Sequence, residues 1–501
     1  MGQPEPADQH AGGGAHGRLS AGSWRCRLAP GASLRHAGGR RYLVSERPLA
    51  VLELRERAAG LVDRLPPGEE VTLPRPPPAE LRFLRRLAEL GVLDLRPATP
   101  PEAAWPSVSV VVPVRDREAQ LGACLASLAR LRYPAGRLEV VVVDDGSARP
   151  TAVPDGVRLV RRERPAGPAA ARNAGAAASG SDLLAFVDSD CVVEPGWLAS
   201  LVPELADPAV AAVGGRVLGA GSRTWLERYD AVRSPLDLGP ARAEARPRRP
   251  VPYLVTANLV VRRAAFEAAG GFDEALRCGE DVDLCWRLAA AGRRLVYQPE
   301  GRVRHDHRGG VRAFAATRAA YASSEAALLR RHPGSGRWLG FSPGLAALAL
   351  GALGAVRGRP ALLAAGALAL GVEVAVAAGR LRPLGVPPSV SASAIVRGQA
   401  TGMYHVARQL TRYYGVPAAA AALAVRSQGA RRRLLLGLAA AALVPGAVDW
   451  RRLRPALTLP AFLAAQLLDD AAYQWGLLRG CARERSLAAL RVELRSPADR
   501  P

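Results

Sequence analysis

The sequence contains no lysine, so arginine supplies all 68 of its basic residues, and the formal net charge is +23 over 501 residues. These arginines are dispersed, and no basic stripe is interleaved with aromatic residues, which excludes nucleic acid as the expected partner. A basic surface of this kind favours an anionic membrane or an anionic substrate instead. The abundance of Ala, Gly, Pro and Arg is typical of a GC-rich genome.

Cysteine is also scarce, and the six present form no Cys-x-x-Cys pair. Their spacing fits neither a zinc site nor a disulfide framework, which favours a reducing compartment. Residues 1–18 lack the basic and then apolar pattern of a signal peptide, and we expect a disordered lead there. The catalytic part is therefore expected in the cytoplasm.

The remaining sequence divides by composition into a small N-terminal module, an α/β domain, a helical region and a tail. In the module, two short strands and helices over 48–64 and 78–90 predict a winged-helix-like unit. The α/β domain alternates strands and helices and predicts a doubly wound sheet with ligands at the strand carboxyl ends. No Gly-x-Gly-x-x-Gly follows its first strand, which disfavours the usual dinucleotide-binding fold. The boundaries of the four parts are 19–98, 106–333, 338–482 and 483–501.

Long apolar runs occur only near the C-terminus. Residues 339–356 and 361–379 each approach the ~20 residues that span a bilayer, whereas 434–448 and 457–468 are shorter. Arginines flank these runs, as they do at the cytoplasmic side of membrane helices. A membrane hairpin and a set of Ala-rich helices lying on the membrane surface or packed on the enzyme both remain open. We predict membrane association at the cytoplasmic face.

Asp144 and Asp145 end the second predicted strand, in the segment Asp-Asp-Gly-Ser. A carboxylate there can accept the N3–H of uracil, and Gly146 allows the backbone to turn sharply. The end of the first strand, at Pro113 and Arg115, would enclose the base from the other side. A solvated turn with an Asp as helix cap is the alternative.

Asp188 and Asp190 follow the fourth predicted strand. Carboxylates separated by one residue can point at the same cleft, and their hard oxygen ligands suit Mg²⁺ or Mn²⁺. Such an ion would neutralise charge on a departing diphosphate. A capped loop is the alternative. Downstream, His305 and His307 would lie on one face of an extended segment, and either could reach the ion.

Glu280 and Asp281 open an amphipathic helix. They could be simple N-terminal charges favoured by the helix dipole, or one could be a catalytic base on a rigid mount. Arg172 and Asn173 could open onto the same cleft, where an arginine would contact phosphate or base, or Arg172 could lie on a helix surface. Asn258, in an apolar segment over 253–261 that predicts a strand, is a candidate hydroxyl contact or a plain strand-edge residue.

In combination these motifs resemble the family 2 glycosyltransferases of GT-A fold, over about residues 106–310. The resemblance implies an inverting, metal-dependent sugar transfer with Asp281 as base, Glu280 beside it, and Asp190 and His305 rather than His307 as ligands of Mg²⁺ or Mn²⁺. It implies that Asp145 contacts uracil. The residues expected around the nucleotide-sugar are Pro113, Arg115, Asp144, Asp145, Arg172, Asp188 and Asn258.

The whole chain also resembles the glycosyltransferases of the mycofactocin system, through the N-terminal module and the segments 321–333 and 467–481. That resemblance implies transfer of one or more β-linked glucose units from UDP-glucose to a peptide-derived acceptor, and a peptide-binding N-terminal module. The alternative is a cell-envelope rhamnosyl- or galactosyltransferase acting on a lipid-linked acceptor. A non-enzymatic scaffold is disfavoured because the four central motifs are intact.

Overall fold

The computed structural model describes residues 22–46, 49–307, 309–340 and 343–495. The lead predicted over residues 1–18 and the last residues of the tail lie outside these ranges. The domain boundaries drawn from the sequence stay predictions, and the elements are given below as the structure has them.

The N-terminal module consists of two three-stranded antiparallel sheets and two helices around one apolar cluster. The sheet orders are β5-β1-β6 and β2-β3-β4. Its elements are β1 (Ser23–Leu28), β2 (Ser33–Ala37), β3 (Arg40–Glu46), β4 (Leu49–Leu54), α1 (Glu56–Asp63), β5 (Glu70–Pro74), α2 (Pro78–Glu89) and β6 (Leu93–Pro97).

The helix predicted over 48–64 is wrong in its first half, because strand β4 occupies Leu49–Leu54 and helix α1 begins only at Glu56. The spacing of apolar residues in this segment fits both the period of a helix and that of a strand, and pairing with a neighbouring strand decides between the two. Leu52 of β4 pairs with Leu43 of β3, and this contact buries both apolar faces in a way a local pattern cannot report. The winged-helix likeness of the module stays a prediction.

A mixed α/β domain follows, built on a nine-stranded sheet of order β11-β15-β12-β14-β10-β7-β8-β9, with β13 beside β15. Its strands are β7 (Val108–Val114), β8 (Leu138–Asp144), β9 (Val157–Arg161), β10 (Leu183–Phe186), β11 (Cys191–Val193), β12 (Val210–Gly219), β13 (Ala243–Glu244), β14 (Leu259–Arg262) and β15 (Arg294–His305). Its helices are α3 (Glu118–Leu128), α4 (Pro168–Ala177), α5 (Trp197–Leu201), α6 (Trp225–Arg233), α7 (Arg263–Ala268), α8 (Glu280–Ala290) and α9 (Val311–Arg331).

Strands β10, β7, β8 and β9 run parallel, so their carboxyl ends meet at one edge of the sheet. The sequence predicts four strands from apolar segments over 108–112, 138–143, 157–160 and 183–187, and all four are confirmed here. Val110 and Val111 of β7 are both fully buried and belong to clusters on opposite faces of the sheet, as expected for a strand covered on both sides. The strand predicted over 253–261 starts only at Leu259, after a 3₁₀ turn at Thr256–Asn258.

The C-terminal region is helical, as predicted, and two of its helices are long and apolar enough to cross a membrane: Pro360–Leu384 and Gln428–Leu453. The run predicted over 339–356 gives a helix of only 15 residues, short of the ~20 needed. The elements are β16 (Trp338–Gly340), α10 (Pro343–Arg357), α11 (Pro360–Leu381), α12 (Pro388–Leu423), α13 (Gln428–Leu453), α14 (Leu459–Glu484) and β17 (Glu493–Arg495).

Helix α14 packs tightly along α9 and fastens the C-terminal region to the α/β domain. Gly476 and Gly480 make this approach possible, because a Cβ at Gly476 would lie 2.1 Å from the Ala319 carbonyl oxygen and one at Gly480 would lie 2.4 Å from that of Ser323. The residues that α14 and α9 present beside this contact form part of the site described next.

Candidate active site

A cavity of about 930 Å³ opens at the carboxyl ends of the parallel strands. It brings together residues from all four motifs that the sequence singled out: Asp145, Asp188 with Asp190, Asp281 and His305. The four segments are far apart in sequence, and the sheet topology alone gathers them, as expected for an open α/β sheet.

Asp145 forms one end of this cavity. Its two carboxylate oxygens accept hydrogen bonds from the backbone N–H groups of Ala166 (3.1 Å) and Gly167 (2.8 Å), and Arg162 lies 3.1 Å away. Pro113 and Arg115, at the end of β7, line the same end. This arrangement holds the carboxylate rigidly beside an opening, where its remaining acceptor capacity is available to a ligand.

Asp144, predicted to contact the nucleotide-sugar, lies behind the cavity wall and is fully buried. Its carboxylate accepts hydrogen bonds from Ser147 N (2.8 Å), Thr151 N (3.2 Å) and Arg161 (2.8 Å). Burial alone would raise the pKa of Asp144, but the hydrogen bonds from Ser147 and Thr151 lower it. The prediction is corrected: Asp144 braces the loop that carries Asp145.

Asp190 and His305 face each other because β11 pairs with β15 in a register that sets Cys191 opposite His305. His305 Nε2 lies 3.4 Å from Asp190 Oδ1, and one ligand atom each of Asp190, Cys191 and His305 falls within 4.8 Å of the others. Burial raises the pKa of the Cys191 thiol, so its sulfur stays protonated and is a poor ligand. Asp190 and His305 are the better pair.

These two residues fit a divalent cation. Asp190 Oδ1 and His305 Nδ1 are both buried without a hydrogen-bond partner among the described residues, and orphaned buried polar atoms of this kind are costly unless something binds them. Arg117 pairs with the other oxygen of Asp190. A carboxylate with an imidazole suits Mn²⁺ and, with added water, Mg²⁺.

His307, the other candidate ligand, also lines the cavity and packs against His305. The two ring centroids are 4.6 Å apart, and His307 Nδ1 is 3.9 Å from Asp230 Oδ2. Burial lowers the pKa of His307 to about 3, with the charges of His305 and Arg318 adding to the effect. His307 is therefore a neutral ring packed against His305 and not the imidazole that faces Asp190.

Arg172 lies between the two acidic motifs. Its guanidinium, buried with the residue 3% exposed, donates to Glu280 Oε1 (2.7 Å) and to Asp188 Oδ1 (2.6 Å). Burial would raise the pKa of Asp188, but the charge of Arg172 lowers it. Arg172 thus links the strand end that carries Asp188 to the start of helix α8. Its predicted contact with the donor stays a prediction.

Asp281 lies at the first turn of α8, after Gly279, whose φ of 85° lets the chain enter the helix sharply. Its oxygens accept hydrogen bonds from Val282 N (2.8 Å) and Thr256 N (3.3 Å). Burial raises the pKa of Asp281 to about 7, and the negative charge of Glu280 adds to the rise. A carboxylate with this pKa can both take and release a proton at neutral pH, as a general base must.

Asn258 does not reach the cavity, which corrects the prediction that it contacts a substrate hydroxyl. It is fully buried, and its oxygen accepts the indole N–H of Trp197 at 2.7 Å. Its nitrogen donates to the carbonyl oxygens of Arg216 (3.1 Å) and Gly301 (2.9 Å). All of its polar atoms are occupied inside the sheet core, so Asn258 is a structural residue.

Sequence reasoning missed the other end of the cavity, which helices α9, α12 and α14 build. The available signal was the pair of segments 321–333 and 467–481, which stood out only as a resemblance. The cavity-lining residues that these elements and the following loop supply include Tyr321, Glu325, Arg337, Arg412, Tyr413 and Tyr473.

Three comparisons place the chain among known proteins. The profile of the glycosyl transferase family 2 matches residues 109–270. A "Pre-mycofactocin glycosyltransferase" of Mycobacterium tuberculosis is 37% identical over 476 residues, which cover 91% of this chain and 94% of that protein. "Glycosyltransferase AglE" of Haloferax volcanii is 32% identical over 202 residues, 38% of this chain and 64% of that protein.

Among solved structures, a mannosyltransferase from Pyrobaculum calidifontis in complex with GDP-Man and Mn²⁺ is 20% identical and covers 78% of this chain and 94% of that one, with a TM-score of 0.43. The membership of the chain rests on the near full-length relative and on the profile match within the α/β domain. The chain belongs to the family 2 glycosyltransferases.

Proposed function

We propose that the protein transfers glucose from UDP-glucose, with inversion, to a hydroxyl of a peptide-derived acceptor in the mycofactocin pathway. One observation carries the proposal: Asp281, whose pKa is raised to about 7, opens into the same cavity as Asp145 and the Asp190–His305 pair. A base, a nucleobase contact and a candidate cation site are the three parts that a transfer from a nucleotide-sugar needs. The near full-length likeness to a pre-mycofactocin glycosyltransferase supports the choice of acceptor.

In this proposal the donor binds from Asp145 toward Asp188. Asp145 accepts the N3–H of uracil, and Pro113 and Arg115 enclose the base. Asp188, held by Arg172, faces the sugar and diphosphate. Asp190 and His305 would hold Mg²⁺ or Mn²⁺, which supplies positive charge to the diphosphate as it leaves.

The transfer itself depends on Asp281. Its carboxylate removes the proton of the acceptor hydroxyl, and the freed oxygen bonds to the anomeric carbon. The bond between that carbon and the phosphate oxygen breaks on the opposite face, and its electron pair leaves with UDP. An α-linked donor therefore yields a β-linked product, and Asp281 returns its proton to solvent.

We also propose that the enzyme works at the cytoplasmic face of a membrane, held by α11 and α13. The apolar windows of these helices are 6% and 17% buried, so most of their apolar surface lacks cover from the described protein. Exposed side chains on them include Leu368 (70%) and Leu436 (59%). Arg380 and Arg382 lie at the end of α11, where they suit anionic headgroups.

Purified full-length protein, incubated with UDP- and GDP-sugars and a set of acceptors and analysed by mass, tests the proposal. We expect a mass increase of one or more hexose units on a peptide-derived acceptor with UDP-glucose, lost when EDTA removes divalent ions. Transfer only to a lipid-linked acceptor would replace the acceptor half of the proposal with the cell-envelope alternative. Full turnover in excess EDTA would remove the cation from it.

A further inference from the structure

The part of the cavity built by α9, α12 and α14 has a composition of its own. We call it the tyrosine wall and define it by Tyr321, Glu325, Arg337, Tyr413 and Tyr473, all of which line the cavity. Helices α9, α12 and α14 and the loop after α9 supply these residues. None of them belongs to the motifs that carry Asp145, Asp188, Asp190 and Asp281. We call the part of the cavity lined by those motifs the nucleotide-sugar end.

Tyr253 lines the same cavity as the proposed base Asp281 and the tyrosine wall. Burial raises the pKa of the Tyr253 hydroxyl, and the charges of Asp281 and Glu325 both add to the rise. A molecule whose hydroxyl lies at Asp281 would extend past Tyr253 onto the wall.

Every charge of the wall is already neutralised. Glu325 accepts from Arg337 Nη1 at 2.8 Å and from the Tyr473 hydroxyl. Arg412, which also lines the cavity, lies 3.3 Å from Asp469 and 3.4 Å from Asp470. A charged ligand would compete with these ion pairs for partners that are already neutralised, at side chains that are mostly withdrawn from water, which is unfavourable. The wall therefore selects an uncharged group.

Flat apolar surface is the other feature of the wall. The rings of Tyr413 and Tyr473 stand at 90° with their centroids 5.5 Å apart. Arg337 covers one ring at 3.5 Å and Arg412 covers the other at 4.0 Å, which fixes both in place. Both tyrosines line the cavity, and the ring surface that remains open beside the guanidinium groups can bind a flat group, whose polar edge can meet the nearby hydroxyl and carboxylate oxygens.

We infer that the tyrosine wall is the acceptor subsite and binds an uncharged ring with an apolar face and a polar edge. This inference rests on the proposed function, because it needs a base at Asp281 and a donor at Asp145. An aryl group and a sugar ring share this chemistry, and both would be part of the acceptor.

Two soluble probes separate these sources: benzyl alcohol for an aryl ring and methyl β-glucoside for a sugar ring. Each is titrated onto the full-length protein with UDP present and followed by saturation-transfer NMR. We expect one of them to bind, and Tyr413→Ala and Tyr473→Ala each to weaken that binding about tenfold, or ~1.4 kcal/mol. Absence of binding by both probes, or unchanged binding in both variants, would overturn the inference.

Charge selection gives a second, independent measurement. Benzoate and glucuronate are the anionic counterparts of the two probes, and we expect neither to bind the wild type. Glu325→Gln leaves Arg337 without its anionic partner, so this variant should gain affinity for the anion and lose it for the neutral probe. Equal binding of neutral and anionic probes to the wild type would contradict the inference.

Tyr404→Ala is the matched control, because Tyr404 lies on α12 and bonds a carboxylate, that of Asp449, without lining the cavity. We expect it to bind the probes as the wild type does. UDP affinity and UDP-glucose hydrolysis are measured in parallel. Their absence in the wild type would refute the proposed function, whereas their presence with an indifferent wall would refute only the acceptor subsite.

Discussion

The two ends of the cavity are built in opposite ways. The nucleotide-sugar end consists of short motifs at strand and helix ends, and it keeps unsatisfied groups: Asp190 Oδ1 and His305 Nδ1 lack partners among the described residues, and Asp281 carries a raised pKa. At the tyrosine wall, the opposite charges of Glu325 and Arg337 neutralise each other through a direct hydrogen bond, and Glu325 also accepts from the Tyr473 hydroxyl. Catalysis needs polar groups that lack partners or have shifted pKa values. Selection of a neutral ligand instead needs charged groups that already neutralise each other.

The sharpest test of this contrast is Asp281→Asn. We expect the variant to lose transfer by about 10²- to 10⁴-fold, because an amide cannot accept the hydroxyl proton, while UDP-glucose affinity stays near that of the wild type. Turnover by mass and donor affinity by calorimetry measure both quantities. Glu267→Gln, on exposed α7 (side chain 61% exposed), is the control and should behave as the wild type. Turnover by Asp281→Asn equal to that of the wild type would show that Asp281 is not the base.

A smaller effect should distinguish the two histidines. His305→Ala is expected to weaken Mn²⁺ binding about 100-fold, because it removes a ligand. His307→Ala removes only the ring packed against His305, so its effect on Mn²⁺ affinity should be smaller. Mn²⁺ titration followed by electron paramagnetic resonance gives both affinities without any turnover. If His307→Ala is the more damaging variant, the two assignments must be exchanged.

The pH profile should differ between transfer and stability. Because the carboxylate form of Asp281 grows as pH rises through about 7, we expect kcat to rise about tenfold from pH 6 to pH 8. A raised pKa in the folded state has the opposite effect on stability. Protonated Asp281 stabilises the fold below its unfolded pKa near 3.8, and this contribution is lost as pH rises through 7.

The free energy of unfolding of the wild type should therefore fall as pH rises toward 7, whereas that of Asp281→Asn should not. Denaturation of both proteins at several pH values measures the difference. Glu280→Gln removes the negative neighbour that helps to raise the pKa of Asp281, so the rise in kcat should move to lower pH. A profile that stays flat from pH 6 to pH 8 in the wild type would count against Asp281 as a titrating base.

The smallest change in activity is expected at Asn258. Asn258→Ala leaves the Trp197 indole N–H without an acceptor, which should lower the free energy of unfolding by about 1–3 kcal/mol. The KM for UDP-glucose should not change, since the residue does not line the cavity. Asn173→Ala, at a half-buried amide that bonds Phe272 and Glu274, is the control with a smaller expected loss. A large rise in KM would restore the original prediction for Asn258.

Much of the nucleotide-sugar end could be predicted from sequence because each of its parts is local. An apolar strand followed by acidic residues, as at Leu138–Asp144 before Asp145 or at Leu183–Phe186 before Asp188, carries strand and ligand in one segment. Topology then brings the segments together without further information. Family membership and the α/β fold followed from these motifs.

What could not be predicted depends on distant partners. Tyr473 and Glu325 are 148 residues apart, and no local pattern indicates that α14 and α9 meet. Asn258 and Asp144 are polar residues at strand ends, as ligands often are, yet both are consumed by hydrogen bonds inside the protein. The sequence predicts a helix where the strand Leu49–Leu54 lies, because the spacing of apolar residues carries no information about pairing with β3.

The pairing of β11 with β15 has a further consequence for how this protein can change over time. Strand β15 is interrupted between Gln298 and Arg302, where its pairing with β12 slips, and it then runs regularly to His305. An insertion or deletion between Gln298 and Arg302 can be accommodated by the irregular pairing there, without changing the register of the residues that follow. One residue gained or lost after Arg302 would turn His305 to the opposite face of the sheet. The distance between the imidazole and Asp190 thus depends on the number of residues from Arg302 to His305 on one strand and from Asp190 to Val193 on the other.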